Sequence, residues 1–181
     1  IDQMEPDEAA DLLGDMDPDR RRTILAQLED PDEIRPLLLY EDDTAGGLMT
    51  SEVLALRRRM TVGDALMAVR TAAPSSSSAE TLYYLYVVDR DGRLVGVTCL
   101  YDLLRADPTA IVAEVMSPDV ITVHVDDDQE EVARVMSRYG LLSAPVVNVE
   151  GVLLGIITHD DVILALSWSG ETTELQSLID Y

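Results

Sequence analysis

The chain contains no lysine and no phenylalanine, and only one cysteine, in 181 residues. With Cys99 alone, an internal disulfide is impossible and paired-cysteine zinc sites are excluded. A reducing, cytoplasmic compartment fits that usage. Positive charge is scarce too: 13 basic residues, all arginine, face 35 acidic ones, for a net charge of −22. A nucleic-acid binder needs a basic footprint, which this composition lacks. An anionic membrane surface would repel such a chain as well. Arginine without lysine is first read as the codon bias of a GC-rich genome. Long apolar runs are also missing. Val152 to Ile157, interrupted by Gly155, falls far short of the roughly 20 residues that span a bilayer. The chain opens on Ile1 and reads as a piece of a longer protein, so the parent remains open to a membrane part.

The residues that are present describe a folded protein. Apolar residues make up 47% and charged residues 27%, with a mean hydropathy of +0.06. A chain this long buries about 70% of its unfolded surface and folds without staples. Three segments in the first 40 residues share one helix-start signal: Glu5-Pro6-Asp7, Asp17-Pro18-Asp19 and Asp30-Pro31-Asp32. Proline suits the first helical position and a carboxylate suits the positive end of the dipole. Helices of two to three turns cannot stand alone, so these must pack on each other or on the rest of the chain.

After Tyr40 and the breaker segment Asp43 to Gly47, the chain repeats itself. Leu48-Met49-Thr50 through Leu56 matches Val115-Met116-Ser117 through Val123 at an offset of 67. Tyr86-Val87-Val88-Asp89 through Val97 matches Pro145-Val146-Val147-Asn148 through Ile156 at an offset of 59. The difference falls in a longer loop of the first copy, at the serine run Pro74 to Glu80. Thr61 with Asp64, and Asp128 with Glu131, are cap signals for the first helix of each copy. Asp91-Gly92 and Glu150-Gly151 are hairpin turns between apolar runs. Each copy thus reads strand, helix, strand, turn, strand, helix. Two such units share a core and leave clefts between them.

This β-α-β-β-α duplication resembles a pair of CBS domains, with Met-Thr/Ser opening each copy and Gly-x-x-Thr-x-x-Asp closing the second. The junction Tyr40-Glu41-Asp42-Asp43-Thr44-Ala45-Gly46-Gly47-Leu48-Met49-Thr50 and the segment Asp126 to Ala133 are similar to the MgtE magnesium-transporter family. The resemblance covers residues 5 to about 166. It implies an α+β fold: a tandem CBS pair preceded by short helices of an all-α N domain. The implied boundaries are 1–46 for the end of the N domain, 47–110 and 111–166 for the two CBS domains, and 167–181 for a linker helix. It further implies a cytosolic Mg²⁺-sensing region, a homodimer through the CBS domains, and a transmembrane pore in the full-length protein.

The resemblance implies metal-binding roles for Asp7 and Asp11 on the N domain, Asp128 and Glu130 in the second copy, and Asp161. Asp7 and Asp11 are four apart and share a helix face, where like charges are mildly unfavourable without a cation. Asp128 reads equally as a helix cap. Gly140 and Leu164 stand where the family has acids, and the segment Ser167 to Glu174 departs from its pore-facing linker. The other reading is a soluble regulatory CBS module without a pore that binds an adenine nucleotide such as ATP. CBS pairs hold such ligands in the cleft, which implies Gly155, Thr158 and Asp161 here. The first copy has Gly96, Cys99 and Asp102 instead, and a thiol is a weak hydrogen-bond partner. No Ser-His-Asp order, phosphate loop or HExxH motif appears, so catalysis is not expected. Trp168 reads as a docking anchor.

Overall fold

The computed structural model describes residues 6–14, 16–28, 31–34, 36–71 and 83–169. Helices α1 (Pro6–Gly14), α2 (Pro18–Leu25) and α3 (Pro31–Ile34) each begin on the expected proline. Asp17 Oδ1 caps α2 by accepting the Asp19 N–H at 3.0 Å. Arg21 of α2 reaches back to α1, donating from Nε to Leu13 O at 2.7 Å and from Nη2 to Gly14 O at 2.6 Å. A cation thereby satisfies carbonyls that the helix end leaves unpaired. A 3₁₀ turn (Leu37–Leu39) leads to α4 (Ala45–Leu48), where a breaker was expected. Thr44 makes the difference, accepting the Gly47 N–H on its hydroxyl at 3.3 Å and so starting a helical turn.

The first copy comprises β1 (Ala55–Arg57), α5 (Val62–Thr71), β2 (Tyr84–Val88), β3 (Leu94–Cys99) and α6 (Leu100–Arg105). The second comprises α7 (Val112–Val115), β4 (Val123–His124), α8 (Gln129–Tyr139), β5 (Ser143–Val147), β6 (Leu153–Thr158) and α9 (His159–Ser169). Each has a three-stranded sheet, the first two strands parallel and the last two antiparallel. Both cap signals hold: Thr61 Oγ1 accepts the Asp64 N–H at 3.1 Å, and Asp128 Oδ1 accepts the Glu131 N–H at 2.7 Å. The serine run and residues 170–181 of the expected linker lie outside the described residues.

The opening strands are shorter than the repeat predicts, because their first residues serve the other copy. Thr50 exchanges two backbone bonds with Ile156, at 2.9 and 3.0 Å. Ser117 does the same with Val97, at 2.8 and 2.9 Å. Each copy therefore pairs one opening residue alongside the last strand of the other copy.

Two apolar cores result. Leu56, Val62, Leu85, Val87 and Leu103 fill the first copy, closed by Val112 of α7. The other core joins Ala9, Leu13, Ile34 and Leu37 of the N-terminal helices to Val125, Val132, Met136, Val146 and Ile157 of the second copy. The N-terminal helices thus pack on the copy more distant in sequence.

Candidate metal and nucleotide sites

The N-terminal module and the second copy are joined by backbone bonds between acidic segments. Gln129 N donates to Asp43 O at 2.9 Å, Ala45 N to Asp127 O at 2.7 Å, and Gly46 N to Val125 O at 2.9 Å. Glu41, Asp42 and Asp43 are exposed, and Asp43, the last of them, is joined through its carbonyl to Gln129, the residue after Asp128. Two acids of the second copy already serve the backbone. Asp128 caps α8, and Asp127 Oδ2 accepts the His124 N–H at 2.7 Å. Asp126 Oδ2 lies 3.4 Å from His124 Nδ1. Glu130 opens α8 next to Glu131, which pairs with Arg134. Sequence reasoning did not single out Asp42 and Asp43. Their signal is their place just before Thr44, the residue that starts α4.

Asp7 and Asp11 lie on α1, but their side chains are outside the described residues. The same holds for Trp168 on α9. Asp161 opens α9 and accepts from Thr158 twice, from N at 2.8 Å and from Oγ1 at 2.6 Å. Among the described residues no group of three or more His, Cys, Asp or Glu is gathered to hold a metal ion. Asp128, Glu130 and Asp161 do not converge into one cage. One of the departures from the resemblance has a local explanation. Gly140 takes the left-handed conformation (φ 61, ψ 43) that ends α8, where glycine is favoured. Leu164 is exposed on α9.

The two strand ends differ. At the second, the Thr158 hydroxyl bonds Asp161. At the first, Cys99 Sγ bonds Asp102 Oδ2 at 3.0 Å. Tyr84, paired across from Cys99, meets Tyr83 edge to face at 5.0 Å, and Arg105 lies over the Tyr101 ring at 5.3 Å. The Thr158 end has Ser143 in place of Tyr84. Gly155 is required by packing: a Cβ there would lie 2.4 Å from Thr50 O and 3.1 Å from Met49. Between the copies, the Tyr86 hydroxyl meets Ser143 Oγ at 3.2 Å, with both residues 2% exposed. Burial pushes the Tyr86 phenol up to about 12. No helix among the described residues is long and apolar enough to cross a membrane.

A strand–helix–hairpin–helix unit, duplicated and exchanging its opening residues, is the arrangement of a paired regulatory module. The CBS domain model matches residues 45–108 and 112–167. The chain belongs to the CBS domain family. Within that family it is similar to magnesium transporters named MgtE. It is 53% identical to that of Thermus thermophilus, over 78% of this chain and 30% of the transporter. It is 44% identical to that of Enterococcus faecalis, over 75% of this chain and 29% of the transporter. The chain spans about a third of the length of these curated relatives or less. Among solved structures, it is similar to the cytosolic domain of the Mg²⁺ channel MgtE in complex with ATP. That match has a TM-score of 0.82 and 45% identity, and covers 90% of this chain and 66% of the other. The soluble part of a magnesium transporter matches at a TM-score of 0.82 and 39% identity, covering 92% and 64%.

Proposed function

We propose that this chain is the cytoplasmic Mg²⁺-sensing region of an MgtE-like transporter, dividing at residues 46, 110 and 166. In this reading it is not an enzyme. It dimerises through its CBS domains and regulates a transmembrane pore elsewhere in the full-length protein. Mg²⁺ bridges carboxylates of the N-terminal helices and the CBS pair, and so favours the compact, closed arrangement. One observation carries this reading: backbone bonds hold residues 43–46, at the end of an acidic run, against residues 125–129, which include Asp126, Asp127 and Asp128, at the seam between helices and second copy. Like charges so placed repel, and a divalent cation relieves that repulsion. Mg²⁺ keeps several waters and needs only one or two carboxylates from each side, which fits residues that form no closed cage. The residues assigned are Asp7 and Asp11 on the N-terminal side, Asp128 and Glu130 on the CBS side, and Asp161 as a further ligand. A cation that binds only the compact state stabilises it by RT ln(1 + [L]/Kd), and weak sites add.

The test is a thermal-unfolding titration with Mg²⁺ against NaCl of matched ionic strength. Saturable stabilisation beyond the salt control is expected, and its loss in Asp128→Asn with Glu130→Gln. Asparagine caps a helix as well as aspartate does, so the variant removes charge while keeping α8. Equal responses to Mg²⁺ and NaCl would overturn the reading.

The ATP complex of the similar cytosolic domain favours a second ligand. We place an adenine nucleotide in a cleft between the copies, with Thr158 toward phosphate or ribose, Asp161 toward the ribose hydroxyls, and Gly155 beside them. Thr158→Val is then expected to weaken ATP binding measured by calorimetry. Loss on Cys99→Ala instead would move the nucleotide to the other strand end.

A further inference from the structure

The hairpin edge of the CBS pair carries opposite charge on its two halves. In the first copy, positions 57–61 and 89–93 hold Arg57, Arg58, Arg59, Arg90 and Arg93 against Asp89 and Asp91. The equivalent positions of the second copy, 124–128 and 148–152, hold no arginine and four carboxylates: Asp126, Asp127, Asp128 and Glu150. Backbone pairing gathers each set. Arg57 lies opposite Val88, Arg58 N donates to Val88 O at 3.1 Å, and Asp89 N donates to Arg93 O at 3.0 Å. In the second copy, Val125 N donates to Val147 O at 3.0 Å and Asn148 N to Val152 O at 3.1 Å. The two halves then run into one another, through Leu94 N to Gly151 O at 2.9 Å and Leu153 N to Gly92 O at 3.1 Å.

All five arginines are exposed. Arg57 donates one N–H to Asp89 O at 2.8 Å, and none of the five forms an ion pair among the described residues. In a chain with 35 acidic side chains, this is a concentration of positive charge with no ionic partner in its own fold among the described residues.

We propose that this edge is a contact surface for a second copy of the chain, with the arginine half of each copy lying on the carboxylate half of the other. A two-fold contact presents the same patch twice and must be self-complementary. An edge of two opposite halves meets that condition about an axis through the point where the hairpins join. A uniformly negative partner, such as nucleic acid or anionic lipid, would meet the carboxylate half as well as the arginines. Exposed pairs are individually weak and screened by salt, so the contact is salt-sensitive and rests on several pairs together. It shares Asp126 and Asp128 with the seam assigned to Mg²⁺, so its test is run without divalent cations, and it acts in addition to any contact between CBS helices.

Sedimentation equilibrium of the full chain tests it, at about 0.05 M and about 0.5 M NaCl, where screening differs several-fold. Arg58→Glu with Arg59→Glu and Arg90→Glu lowers the low-salt association constant by about tenfold or more, which is about 1.4 kcal/mol. Asp126→Arg with Glu150→Arg does the same. An equal mixture of the two variants restores association, because both contacts regain opposite charges. Restoration also separates a lost contact from a lost fold. Three results would overturn the proposal: a salt-indifferent association constant that neither reversal changes, a mixture no stronger than its components, or a wild-type chain that stays monomeric. A monomer that sediments with anionic vesicles would assign the arginines to lipid.

Discussion

Tyr86 and Ser143 hold the two copies together by a bond that water does not reach. Burial raises the phenol from 10.0 to about 12, a rise that the Ser143 bond lowers in part. The folded chain keeps a proton that the unfolded chain loses near pH 10. The contribution of Tyr86 is therefore complete below pH 10 and is lost as pH climbs through about 12. Alkaline unfolding followed by circular dichroism is expected to show this loss, and Tyr86→Phe to flatten that part of the profile. An unchanged profile in the variant would refute the assignment. Thr98 makes the opposite case. Its hydroxyl is buried in the first copy, 4% exposed, without a partner among the described residues. Such a group costs about 1–3 kcal/mol in desolvation. Thr98→Val is expected to raise the unfolding midpoint, and a lowered midpoint would mean that the hydroxyl has a partner.

Among the elements, the exchanged residues Thr50 and Ser117 distinguish this pair from two separate units. Gly155 lets the Thr50 carbonyl approach, and any side chain there must displace backbone. Gly155→Ala is expected to cost at least the roughly 1–3 kcal/mol of an overpacked core. Gly151→Ala, with φ +77 and nothing within 4 Å of its new methyl, is expected to cost about 1–2 kcal/mol of left-handed strain alone. Chemical denaturation of the two variants checks the order. Local signals of this kind are easily read in a sequence. The three proline starts, the Thr61 and Asp128 caps and both Gly hairpin turns stand where the residue pattern puts them. Thr50 pairing with Ile156 is another matter, because no period in the sequence tells which strand an isolated residue will join. Gly155 could be read only as a place of close approach, and its neighbour proves to be Thr50.

At the scale of the whole molecule, the N-terminal helices share a core with the second copy, to which the first contributes its opening residues Leu48 and Met49. Apolar stripes such as Ala9 and Leu13 announce that a helix packs, but nothing in them selects between two copies of one fold. That choice joins residues 43–46, at the end of the acidic run 41–43, to residues 125–129, so part of the charge of −22 lies along a seam between modules. The candidate ligands were legible only through the family resemblance, since Asp128 serves equally as a cap. The most direct test of the account is amide hydrogen exchange at the seam, with and without Mg²⁺ at matched ionic strength. If Mg²⁺ closes the seam, the Ala45, Gly46 and Gln129 amides exchange more slowly with Mg²⁺ present, while Leu85 and Val87 in the first core do not change. Equal exchange of the seam amides in both conditions would contradict the Mg²⁺ switch.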